Sequence, residues 1–373
     1  MWKKLTIMMM LLMFVLAMVS CSEDSTSTES SDADIENVNN ATDNFGEEFA
    51  SIMTTEGGTA IMNMPEMDDD KKVSNEVINP KKIIAKMIAS ADRSGMLNKF
   101  ISNSTKENYP EWEENWGTFE WDIQYEHWEY AADPTLGEVR WEFPKDSLST
   151  ENNARLVWSE FDVNLNTPDT LLNSIRFDLY TQTDFSNHVA SLDFSLEYNA
   201  NQEPTNVTFE LWLLPFTMTV EFDQQTTQTT FDFTVIRDGN SEPRFSLGAE
   251  LNYTDINNIE ETITTGSTYF QYGSLRIDLS ADIAILFDEL EDPNGTMLPN
   301  EIVNILNQYV NGTFKLDGTT VGTLQFFYTF IDGYSANIVF NDGTQVPLEE
   351  ILERFFDAIG SEIKEFITQW FEE

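Results

Sequence analysis

From Gly117 to about residue 290 the chain alternates apolar and polar residues with a period of two. Val207, Phe209, Leu211 and Leu213 are separated by Thr208, Glu210 and Trp212; Phe216, Met218, Val220 and Phe222 alternate with Thr217, Thr219 and Glu221. The same pattern returns at Phe231–Val235, at Phe245–Tyr253 and, longest of all, at Leu275–Ile283. Earlier runs cover 117–121, 126–130, 138–143, 155–163, 174–182 and 189–198. Successive side chains of a strand point to opposite faces, so each run predicts a strand with one buried and one wetted side. Thr167-Pro168-Asp169, Asn199-Ala200-Asn201, Leu214-Pro215 and Asp238-Gly239-Asn240 punctuate the runs as turns. An antiparallel meander with an apolar and an acidic face is the expectation. Strands this long predict a strongly curved sheet or a barrel.

The period changes on either side. Phe45, Phe49, Ile52 and Met53 fall at helical spacing before Gly57-Gly58 interrupts them, so 45–70 reads as a short helix and a loop. After Pro80, Ile83, Ile84, Met87, Ile88 and Ala91 predict an amphipathic helix over about 80–100. Pro299 opens a further helix through Ile302, Val303, Ile305, Leu306 and Tyr309. Two hairpin signals follow, Asp317-Gly318 and Asn341-Asp342-Gly343, with strands at 321–331 and 336–340. From Pro347 a wide apolar stripe runs through Leu348, Ile351, Leu352, Phe355, Phe356, Ile359, Ile363, Phe366, Ile367, Trp370 and Phe371. A stripe of that width needs a partner surface, and the apolar face of the meander is the natural one. The predicted fold is therefore α+β: a large curved antiparallel sheet flanked by amphipathic N- and C-terminal helices. The alternatives are two domains split near residue 290 and a transmembrane barrel, although a barrel has no place for the terminal helix.

The first residues belong to another category. Lys3 and Lys4 precede thirteen apolar residues, Ile7–Val19, and then Ser20-Cys21-Ser22. That apolar run falls short of the roughly 20 residues of a spanning helix. It fits a secretory signal with small residues at the cut. Cys21 is the sole cysteine of 373 residues. At this position the segment resembles a bacterial lipoprotein signal, with Met18 where Leu is commonest. The resemblance implies cleavage before Cys21, acylation of its thiol and attachment to the outer membrane. Residues 1–20 then form the signal peptide, and 21–44 the lipidated cysteine with an acidic tether of Ser, Thr, Asp, Glu and Asn. Such a composition cannot bury enough apolar surface to order itself. Its acidic residues directly after the cysteine resemble the export signal of surface lipoproteins of the Bacteroidota, which implies display outward. The short element Gly117-Thr118-Phe119-Glu120-Trp121-Asp122 is also similar to one in such lipoproteins and implies no activity. Two regions remain: 45–116, helical, and 117–373, a β-rich body with a terminal helix over 347–372.

Charge narrows the partners. The chain has 65 acidic and 20 basic side chains, a formal charge of −45. Nucleic-acid binding rests on Lys and Arg neutralising phosphates, so this balance excludes it. An acidic coat keeps anchored neighbours apart and the protein soluble. Residues 71–106 hold eight basic side chains, and a helix there is expected to dock on the acidic body.

Catalytic chemistry finds little footing. His127 and His188 are the only histidines, both in strand-like runs, and no zinc-protease motif or nucleophile elbow surrounds them. Asp68-Asp69-Asp70 and Asp292-Pro293-Asn294 depart from the twelve-residue calcium loop. Neither a metal nor another cofactor is expected, and no catalytic residue is assigned. Trp112, Trp116, Trp121, Trp128, Trp141 and Trp158 crowd into 47 residues. Most read as core. Trp112, Trp116, Trp121 and Trp128 are the candidates for a sugar-binding surface. The function read from the sequence is a non-enzymatic, lipid-anchored envelope protein that binds an apolar ligand or a protein partner. The alternatives are a surface carbohydrate-binding lipoprotein using 112–158, and a hydrolase using paired carboxylates.

Overall fold

The computed structural model describes residues 51–52, 54–65, 115–164, 171–200, 204–239, 244–291, 296–330, 333–348 and 350. The signal peptide, Cys21, the tether, the helix expected at 80–100, Trp112, Asp68–Asp70 and Asp292–Asn294 lie outside them, as does the terminal stripe beyond Leu348. Sixteen strands occur among the described residues, in nearly sequential hydrogen-bonded order. Helices are few and short, so the helical half of the α+β expectation is met only in part. The chain divides into two compact units, at residue 221/222 rather than near 290.

In the first unit, residues 50–221, a helix α1 (Glu56–Met62) precedes the strands. These are β1 (Gly117–Asp122), β2 (His127–Ala132), β3 (Val139–Phe143), β4 (Ala154–Asn164), β5 (Leu171–Thr181), β6 (Asn187–Tyr198) and β7 (Pro204–Leu213), then β8 (Phe216–Gln224), in which the division falls. Strand follows strand antiparallel from β3 onward. The meander has one exception: β1 pairs parallel with β3, and the hairpin places β2 outermost. One face of the strands is apolar, with Trp141, Phe143, Trp158, Ile175, Phe177 and Leu179 all fully buried. Gly57 and Gly58 do not interrupt a helix; they are the buried side of α1. A Cβ on Gly57 would stand 2.8 Å from the Val189 carbonyl oxygen and 3.1 Å from Ala190 Cβ, so glycine lets the helix backbone sit against β6. Thr55 caps this helix by accepting from Gly58 N (3.1 Å).

The second unit, residues 222–363, carries β9 (Gln228–Arg237), β10 (Phe245–Tyr253), a one-turn α2 (Ile259–Thr262), β11 (Ile263–Tyr272) and β12 (Leu275–Ala281). Next come α3 (Ile283–Leu290), α4 (Pro299–Tyr309), β13 (Val310–Leu316), β14 (Thr319–Thr329), β15 (Gly333–Phe340) and β16 (Gln345–Pro347). The run expected to stay extended to Ile283 ends two residues early. Asp282 accepts from Ile285 N (3.4 Å) and turns the chain into α3, whose Ile283 and Leu286 are buried. This helical pair explains why 290 resembled a domain boundary. It is an excursion between adjacent strands, for β12 and β13 pair directly, Leu275 with Leu316 through Ala281 with Val310. Pro299 starts α4 as expected, and Glu301 Oε2 accepts from Leu298 N (2.8 Å). The Asn307 amide fixes α4 to β14: Nδ2 donates to the Phe326 carbonyl (2.9 Å) while Oδ1 accepts from Phe326 N (2.7 Å).

Candidate functional site

The tryptophans divide by face. Trp141 and Trp158 are core residues of the first unit. Trp116, Trp121 and Trp128 are half-buried. Trp121 and Trp128 face each other across the β1–β2 pair, with ring centroids 5.4 Å apart and planes at 66°. Two rings at that angle do not form the coplanar platform on which a sugar would stack.

The opposite face of the first unit carries its charges. Arg176 on β5 hydrogen-bonds Asp178 two residues on (Nη2 to Oδ1, 3.1 Å) and reaches Asp193 on β6 (3.4 Å). Its bonds to Asp178 raise the guanidinium pKa further, while burial pushes the Asp193 carboxyl up. His188 is held between Tyr180 and Trp212, each ring centroid 4.8 Å away, with Nε2 3.3 Å from Asp178 Oδ1. Burial raises the pKa of Tyr180. Ser159 Oγ also donates to Asp178 (3.0 Å). The hydroxyl therefore bonds the carboxylate, while the imidazole Nε2 approaches it without a hydrogen bond. A relay needs the imidazole in the middle, so the trio is not arranged as a nucleophilic triad.

The second unit repeats the device. Arg276 donates to Asp278 Oδ1 (2.8 Å) on β12, and Lys315 on β13 donates to Asp278 Oδ2 (2.8 Å). Burial alone would raise the Asp278 pKa, but Lys315 and Arg276 hold it below the usual carboxylate value. Arg276 also lies 4.2 Å above the Tyr269 ring, whose hydroxyl donates to Asp232 on β9 (2.8 Å). The signal for both clusters is legible in hindsight: Ser174-Ile175-Arg176-Phe177-Asp178-Leu179 recurs as Ser274-Leu275-Arg276-Ile277-Asp278-Leu279. Within an acidic polar face, Arg and Asp two apart on a strand share one side and neutralise each other.

Beside this second cluster the same face opens into a groove of about 420 Å³. Its floor is one row across four strands: Glu250 opposite Ser267, Ser267 opposite Ser280, and Ser280 opposite Asn311. Strands lie about 4.8 Å apart, so the row extends roughly 14 Å. Ser267, Ser280 and Asn311 are exposed to the groove. Asn252 sets one end, donating to Glu250 Oε1 (2.7 Å) and Thr265 Oγ1 (3.2 Å). Asp282 and Tyr309 set the other, where the excursion leaves β12 and re-enters β13; Asp282 N donates to the Tyr309 carbonyl (3.0 Å) and Gln308 Nε2 to the Tyr309 hydroxyl (3.0 Å). Neither Phe nor Leu lines it. Sequence periodicity could not mark this site, because hydroxyl and amide side chains on a wetted strand face carry no signal beyond being polar.

No protein-family model matches the chain, and no curated protein does. Among solved structures, a porin-like protein from Bacteroides vulgatus ATCC 8482 aligns with 51% of this chain and 85% of its own, at 7% sequence identity and a TM-score of 0.19. At that score the backbones share no arrangement from which a fold or role can be argued. Among the described residues, no helix is long and apolar enough to cross a membrane.

Proposed function

We propose that this is a non-enzymatic, lipid-anchored protein of the outer membrane that binds a neutral glycan in the groove between Glu250 and Asn311. The lining of that groove carries the reading. Hydroxyls, amides, two carboxylates and one tyrosine are groups that pair with the vicinal hydroxyls of a sugar. An apolar ligand would leave those groups unpaired on burial, at a cost of about 1–3 kcal/mol each. The net charge of −45 disfavours anionic polysaccharides. The reading keeps the carbohydrate alternative drawn from the sequence but moves it from the Trp-rich hairpin to the second unit.

Electrophoresis through gels containing dextran, xylan or laminarin tests it. One of these neutral polysaccharides is expected to retard the protein. Ser280→Trp, which fills the groove from an exposed position, should weaken retention at least tenfold, about 1.4 kcal/mol. Trp121→Ala and Trp128→Ala should leave retention unchanged; the reverse pattern would return the site to the hairpin. Release of reducing sugar, abolished by Glu250→Gln or Asp282→Asn, would refute the non-enzymatic assignment.

The anchor is tested separately. Cys21→Ser is expected to move the protein from the detergent phase to the aqueous phase, since stable attachment depends on acyl chains. Unchanged partitioning would refute lipidation.

A further inference from the structure

We propose that Asp122, His127 and Glu129 form a binding site for a first-row transition-metal dication at the tip of the β1–β2 hairpin. In the sequence these residues are separated by a turn and look unrelated. The register brings them together: Asp122 is opposite His127 and Glu120 opposite Glu129. Residues two apart on a strand share a face, so Glu120, Asp122, His127 and Glu129 occupy one side of the hairpin and Trp121 and Trp128 the other.

The donor atoms are already close. One from each of Asp122, His127 and Glu129 lies within 4.8 Å of the other two, and His127 Nε2 is 3.5 Å from Glu129 Oε1. Zinc bonds of about 2.0–2.2 Å in a tetrahedron place neighbouring donors roughly 3.4 Å apart. One edge of the coordination figure therefore stands at its required length, and side-chain rotation closes the others. The Asp122 carboxylate is oriented by the turn that follows it. Its Oδ1 accepts from Gln124 N (2.8 Å) and Tyr125 N (3.0 Å), which leaves Oδ2 for the metal. Glu120, directly opposite Glu129 on the same face, is a further oxygen donor. Its placement opposite Glu129 is unfavourable between two anions, and a dication between the strands removes that repulsion.

The imidazole separates this site from a cluster of carboxylates alone. Carboxylates alone suit calcium and magnesium, whereas an imidazole among them favours zinc, nickel or copper. Open positions around the ion remain for water.

Two histidines make the test direct. Untagged mature protein in excess magnesium, which occupies carboxylate-only sites, is titrated with zinc while the imidazole resonances are followed by NMR. The His127 signal is expected to shift and saturate at one zinc per chain, with the His188 signal unmoved. His127→Gln and Glu129→Gln should each weaken zinc binding at least tenfold while leaving the metal-free circular dichroism spectrum unchanged. A His127 signal that stays in place at saturating zinc, or an isotherm unaltered by His127→Gln, would reduce the trio to a plain ion pair and overturn the proposal.

Discussion

Replacement of Trp141 by alanine is expected to cost about 3–5 kcal/mol of stability, the range for removing a fully buried indole. Trp141 has no exposed surface and sits at the parallel β1–β3 junction, directly opposite Phe119 on β1 and Leu156 on β4. Its ring stacks on Phe119 at 5.9 Å and leans on Phe177 at 6.5 Å. Alanine would therefore open a cavity that three strands share and that none can fill by a local shift. Phenylalanine at the same position separates shape from polarity. The Trp141 Nε1 is buried without a hydrogen-bond partner, while the Trp158 Nε1 donates to the Glu160 carbonyl (2.9 Å). Trp141→Phe keeps most of the packing and relieves an unpaired donor. Trp158→Phe removes a made bond and strands a carbonyl. Urea unfolding followed by circular dichroism should rank Trp141→Ala the most damaging, then Trp158→Phe, then Trp141→Phe. A larger loss for Trp141→Phe than for Trp158→Phe would contradict this account.

Gly248→Ala should be the second severe change, at about 1–3 kcal/mol for overpacking a site with no room. A Cβ on Gly248 would lie 2.2 Å from Tyr269 Cε1 and 2.6 Å from Asp232 Oδ1. Glycine on β10 is what lets Tyr269 cross from β11 and reach Asp232 on β9. Burial first, then the bond to Asp232, pushes the Tyr269 hydroxyl up to about 12. The neutral phenol is thus the form the fold prefers. Its contribution is present in full below the unfolded-state value of about 10 and is lost as pH rises through about 12. Carbon-13 NMR of labelled tyrosines should show one of them titrating near that value in the native protein. In Gly248→Ala, where the ring is displaced from Asp232, the same resonance should titrate lower. An unchanged titration would mean that the cross-strand bond does not set it.

How much of this was legible before the structure depends on what each element buries. The strands could be read because one face of each is apolar: the run at 189–198 became β6, and that at 245–253 became β10. Helix α3 could not, since Ile277, Leu279, Ala281 and Ile283 continue the alternation across the point where Asp282 ends it. Gly57 and Gly58 misled in the opposite sense. The low helix propensity of Gly57 was outweighed by a close approach to β6 that no side chain would permit. The parallel pairing of β1 with β3 leaves no local trace, because β2, the strand that separates them in sequence, lies outside them in space. The sites follow the same logic. Trp141 and Trp158 were conspicuous and proved to be core, whereas the groove is made of serine, threonine and asparagine drawn from four strands and becomes visible only once their register is known.

The nearly sequential strand order also bears on how the chain can acquire its structure. Apart from the β1–β3 pair, each hydrogen-bonded neighbour is also a neighbour in sequence, so pairing closes short loops and little entropy is lost before contacts reward it. Even the exception is satisfied once residue 143 has been delivered. A polypeptide threaded through a bilayer from its N-terminus could then extend the ladder one strand at a time. Each newly emerged segment would find its edge already waiting, and the longest interruption, the α3–α4 excursion, would still return the chain to the strand it had just left.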